Sequence, residues 1–192
     1  EYWTQEGHKT LYLIVSFLPV PAPQGSGTVE RAIRLACEAL DRRRSRGGVR
    51  DEATDLHDEG LLLMGAARWD EAKGVLARLA ERFQKNVEYG SLLGAAAARA
   101  GDHALARLLD TRLARDKGRW DRGRTAWARA RIAASLGEAD TAVSLLAAAF
   151  AGGFPYGVAL HSDVAFEPLG SHPAFRELLR PRSASEAVAH EG

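Results

Sequence analysis

The chain has 192 residues, 46% of them hydrophobic and 27% charged, with a formal net charge of +1. This is a soluble globular balance, long enough to bury a core, with no global field that demands nucleic acid or an anionic membrane. A single cysteine, Cys37, excludes an intrachain disulfide and a thiolate metal cluster. Ala and Leu dominate and aromatics make up only 7%, a mix that favours helix. The chain opens at Glu1 without an initiator Met, so it is expected to be a fragment of something longer.

The apolar run Leu11 to Leu18 is too short to span a bilayer and stops at Pro19 and Pro21. Its flanks do not read as a secretory signal. Residues 1–27 therefore read as a non-repeat segment ending in a Pro/Gly linker, Pro19 to Gly27. Thr28 caps a helix to Leu40, with Ala32, Leu35, Ala36, Ala39 and Leu40 on one face and Cys37 as a small buried hydrophobe beside them. A basic turn, Asp41 to Gly48, ends it.

Six further helices are expected: Asp51 to Ala67, Trp69 to Phe83, Glu88 to Ala100, His103 to Arg115, Gly123 to Leu136 and Ala139 to Phe150. No stretch alternates with period two, so the predicted class is all-α. Short turns join these helices in pairs at 51–84, 88–115 and 123–150. Ala72, Ala106 and Ala142 occupy equivalent places, 34 and then 36 residues apart. Helix pairs repeated at such a period, none able to bury its own apolar face, are the signature of a solenoid.

The pattern Leu56-x3-Gly60-x2-Leu63-x5-Trp69-Asp-Glu-Ala72-x3-Leu76-x3-Ala80 resembles the tetratricopeptide repeat family. Leu93-Gly94-x2-Ala97-x3-Gly101-x4-Ala106 and Ala130-x2-Ala133-x3-Gly137-x4-Ala142-x3-Leu146-x2-Ala149 repeat it. Small residues stand where paired helices cross closely. Glu59 and Arg129 depart from the family, which carries apolar residues there. The stretch Asp163-x2-Phe166-x-Pro168-Leu169-x2-His172-Pro173-x-Phe175-x2-Leu178-Leu179 is similar to the segment that closes many bacterial arrays of this family. The resemblance implies a right-handed α-α superhelix over residues 28–150, a capping segment over 151–181 and a disordered tail over 182–192.

No phosphate-cradling glycine loop, metalloprotease helix or nucleophile elbow is present, so no enzyme activity and no cofactor are expected. His161, Asp163 and His172 are spread over loop and cap, and no metal site is expected from them. Asp70 and Glu71 open a helix, where acids complement its dipole. Between Arg107 and Arg131, nine cationic residues stand against three aspartates, with Trp120 and Trp127 interleaved. A solvated helix edge accounts for this stretch best; an acidic peptide or nucleic-acid surface is the alternative, with the peptide ahead because the chain is nearly neutral.

What the family resemblance implies is a protein-interaction scaffold whose first helices line a concave groove; the lone cysteine and the short apolar run add the expectation of a cytoplasmic protein without a membrane partner. Carried over residue by residue, the inward positions are His57, Leu61 and Met64, then Glu88, Ser91 and Arg99, then Arg124, Trp127 and Arg131. The ligand-contacting set is expected to be His57, Arg99, Arg124, Trp127 and Arg131. Arginines hold carboxylates bidentately and Trp anchors apolar groups, so an acidic or C-terminal-carboxylate peptide is the expected ligand. An accessory domain of a larger signalling enzyme is the other reading.

Overall fold

The computed structural model describes residues 52–115, 121–157 and 159–180, together with Glu38 in a helix. The expected segment 1–27, Cys37, the rest of the 28–40 helix, Lys117, Arg119, Trp120 and the tail after Arg182 lie outside the described residues.

Within them every regular element is helical. In chain order they are α1 (Glu52–Gly65), α2 (Trp69–Arg82), α3 (Val87–Arg99), α4 (His103–Arg115), α5 (Arg124–Ser135), α6 (Ala139–Ala151), α7 (Ala159–Ser162), a 3-10 turn (Val164–Leu169) and α8 (Pro173–Leu179). The three-residue links within α1/α2, α3/α4 and α5/α6 force each pair to fold back on itself. Consecutive pairs pack together, α2 on α3 and α3 on α5. None of the described helices is long and apolar enough to cross a membrane.

The turn is the most regular feature of the chain. In the second pair Gly101, at φ 85°, donates its N–H to the Ala98 carbonyl while Asp102 donates to Ala97. Gly137 and Glu138 repeat this, and so do Gly153 and Phe154 after α6. Left-handed backbone at this position suits glycine, and the two bonds satisfy carbonyls that a helix end leaves orphaned. In the first pair Ala67 stands there instead, at φ 55°. Side-chain acceptors sit ahead of α3, α4 and α5, whereas α2 and α6 begin without a side-chain cap. Asn86 accepts from the Glu88 and Tyr89 amides, Asp102 from Leu105, and Asp121 from Thr125.

Small residues let the helices approach. A Cβ added at Gly60 would lie 2.5 Å from Leu76 Cδ2, and one at Gly94 2.5 Å from Ile132 Cδ1. Gly60 thus marks a crossing within a pair, as its place in the sequence predicts. Gly94 marks a crossing between pairs. Ser91 to Ala98, eight residues in succession, are buried, because α3 is covered by α2, α4 and α5 together. Two adjoining cores result. One is built around Leu56, Leu76, Leu92 and Ile132, the other around Trp127, Leu146, Phe166 and Phe175.

The closing segment falls at the spacing of a shortened fourth unit. The second helices of the pairs begin at Trp69, His103 and Ala139, and α8 begins at Pro173, giving steps of 34, 36 and 34 residues. The 3-10 turn packs on α5. Phe166, Leu169 and Phe175 are buried as expected; Leu178 is only half-buried.

Candidate binding face

The first helices α3 and α5 share a face on which three of the expected ligand residues sit: Arg99, Trp127 and Arg131. Successive residues at three and four positions apart place Arg124, Trp127 and Arg131 on one side of α5. Helix α3 contributes Glu88, Ser91 and Arg99.

Arg131 is the centre of this face. Its Nε reaches Asp163 Oδ2 at 2.5 Å, and its Nη1 reaches Glu88 Oε1 at 2.7 Å and Ser91 Oγ at 3.1 Å. Burial opposes the charge, but the Asp163 and Glu88 carboxylates more than offset it and hold the guanidinium above its usual range. A raised basic group contributes stability below its unfolded pKa and loses it only as pH climbs through the folded value. The network's cation is therefore intact at every neutral pH. Ser91 is not a nucleophile in waiting: its hydroxyl donates to the Glu88 carbonyl and accepts from Arg131.

Trp127 packs face to face with Phe154, centroids 4.5 Å apart, and edge-on with Phe166 at 5.0 Å. Arg99 lies 4.5 Å over the Trp69 ring and reaches Glu167 Oε2 at 3.4 Å. Three contacts thus tie the closing segment to the face: Asp163 on Arg131, Phe166 on Trp127 and Glu167 on Arg99.

This corrects the expectation of an open wall. Trp127 is 2% exposed and Arg131 6%, because the protein's own 3-10 turn covers them. Met64 and Ser91 are buried as well. His57 stands apart on α1, half-buried, its ring 5.8 Å from Tyr89. Arg124 is exposed at the start of α5. Asp163, Phe166 and Glu167 are the face residues that the sequence reading placed only in a cap. A signal for them was there, since two acids around an aromatic match the ligand chemistry inferred for Arg99, Trp127 and Arg131.

Three arginines of the basic stretch, Arg107, Arg129 and Arg131, hold carboxylates, while Arg112, Arg115, Arg122 and Arg124 are exposed. Arg107 meets Glu138 at 2.8 Å, and Arg129 meets Asp110 at 2.8 Å. The hydrogen bond that Arg129 donates to the Asp110 carboxylate holds its guanidinium above the usual range, so the charge at this position is paired. At the start of α2, Arg68 pairs with Glu71 and holds its carboxyl below the usual range. His172 pairs with Asp140 at 3.1 Å. Among the described residues no three His, Cys, Asp or Glu side chains converge as a metal site would need.

Comparison of the chain with protein-family models, with curated proteins and with solved structures finds no match.

Proposed function

We propose that this protein is an interaction module, built like a tetratricopeptide array, whose α3–α5 face recognises a segment carrying carboxylates around an aromatic side chain. The observation that carries the reading is the internal occupant. Asp163, Phe166 and Glu167 engage Arg131, Trp127 and Arg99 as such a ligand would. Charge-assisted pairs to arginine give direction and the ring pocket gives affinity. Nucleic-acid binding through residues 107–131 is the weaker reading, because Arg107, Arg129 and Arg131 already hold carboxylates.

The test uses a full chain whose own segment is disabled by Asp163→Ala with Phe166→Ala. A fluorescent peptide copying residues 159–180 is titrated against it. Saturable binding is expected, at least tenfold weaker when Arg131→Ala is added. Absence of binding to a host that keeps its helical circular dichroism overturns the reading.

A further inference from the structure

We infer that the face of α1 built from Asp55, Asp58 and Leu62 is a docking site for the arginine-rich residues 28–50 of this same chain. Repeat spacing identifies the face. Asp55, Asp58 and Leu62 fall 34 residues before Tyr89, Leu92 and Ala96, which fall 36 before Thr125, Ala128 and Ile132. In α5 this side meets the preceding pair. A Cβ added at Gly94 would lie 2.5 Å from Ile132 Cδ1, which itself sits against α3. By the same spacing, the side of α1 at Asp55, Asp58 and Leu62 faces whatever precedes it. Where α3 and α5 bury Leu92, Ala96, Ala128 and Ile132, α1 buries two carboxylates and a leucine.

The face is covered by the chain itself. Asp55, Asp58 and Leu62 are 9%, 5% and 2% exposed, yet Leu62 belongs to neither core formed by the described residues. Helix α2 packs on another side of α1, where Gly60 meets Leu76. The cover therefore comes from beyond the described residues. Its chemistry follows from the carboxylates, which need cations or donors once taken out of water. Asp55 Oδ1 is buried without a hydrogen-bond partner among the described residues. His57 Nδ1 stands 3.6 Å from Asp58 Oδ1, while Arg78 and Arg82 of α2 are engaged with Glu52. Residues 28–50 hold seven arginines against three acids and run directly into α1. Residues 1–27 hold one lysine against two glutamates, and residues 181–192 one arginine against two glutamates. Of these three stretches, only 28–50 brings the charge that the face lacks. Arginine suits it, since the guanidinium fork takes a carboxylate bidentately. The short tether to α1 favours the contact further. The array thus starts on a charged junction where its later junctions are apolar, and these arginines are engaged inside the molecule rather than offered to a polyanion.

Amide hydrogen exchange of the full chain, read by mass spectrometry across α1, tests this. Changing all seven arginines of residues 28–50 to Gln removes the cations without touching the described core. Exchange across α1 is expected to rise at least about tenfold, because a buried carboxylate left unpaired favours local opening. Helix α5 is expected to keep its protection. Asp55→Asn with Asp58→Asn is expected to raise α1 exchange likewise, and to add little when combined with the glutamine variant, since the same pairs are already broken. Should the asparagine variant fail to fold, the glutamine variant decides alone. Unchanged protection of α1 in the glutamine variant overturns the inference, and so does full additivity of the two variants. Deleting residues 1–27 is expected to leave α1 protected. Loss of protection there, with the glutamine variant unaffected, overturns the inference and makes the apolar run Leu11 to Leu18 the cover. The α3–α5 face takes no part in these outcomes and is tested separately by the peptide titration.

Discussion

The three full pairs and the shortened fourth unit keep the same spacing but fill their contacts in opposite ways. Between α3 and α5 the helices are brought together by what is missing: Gly94 and Ala95 to Ala98 leave room for Ile132. At the far end, α7 has four residues and the 3-10 turn contains Pro168, so no long helical face is available to lie in the groove. The volume is taken up by rings instead, with Phe150, Phe154 and Phe166 around Trp127. A helix cut short must be replaced by side-chain bulk, because interiors pack to near-crystalline density. Rings also pin one orientation, whereas a small-residue crossing constrains distance.

Breaking the bulky side carries the largest expected effect. Phe166→Ala, at a position 2% exposed, is expected to cost about 3–5 kcal/mol, read by chemical denaturation and by a changed Trp127 fluorescence. A loss within about 0.5 kcal/mol, the range of ordinary surface changes, would show that the fourth unit is not part of the core. Arg131→Met is expected to cost about 3–5 kcal/mol, since it strands Asp163 in a buried site. Adding Asp163→Leu should recover part of that loss in a double-mutant cycle; a purely additive result would mean that the two charges do not act together.

The small-residue side breaks differently. Gly94→Ala adds a methyl 2.5 Å from Ile132 Cδ1 and is expected to cost about 1–3 kcal/mol by overpacking. No change would show that α5 gives way freely. The turns allow a gain: Ala67→Gly is expected to stabilise by about 1 kcal/mol, because it gives the first pair the residue that Gly101 and Gly137 give the others. Smallest is Gly90→Ala, expected to stabilise by about 0.5–1 kcal/mol, since the new methyl meets only Leu113 Cδ2 at 3.9 Å. Both gains are readable as a rise in thermal midpoint, and a fall in either would place strain where the structure shows room.

The helices and turns were legible because their causes are local. Trp69, His103 and Ala139 open their helices and Arg115 closes its own where the sequence places them, and the other boundaries shift by a residue or two as ends fray. Gly101 and Gly137 punctuate because their backbone must be left-handed. The 34- and 36-residue spacing of Ala72, Ala106 and Ala142 carries straight into the fold, each buried at the start of a second helix. The same spacing also holds the fourth unit, but α8 is too short for its periodicity to stand out beside the family-like closing motif.

The face was legible in its chemistry and not in its exposure. Three arginines and a tryptophan predicted an acidic or C-terminal-carboxylate ligand with an apolar anchor, and the chain's own Asp163, Phe166 and Glu167 lie against three of those four residues. Local sequence determined the helices, their caps and the tight turns, since each depends on neighbours within four or five positions. The tertiary structure alone decided that Trp127 and Arg131 are covered, because their partners come from far along the chain. Arg131 meets Asp163 across 32 positions and Ser91 across 40, and Arg99 meets Glu167 across 68. Such pairs exist only once the helices have stacked, and no spacing rule within one helix encodes them.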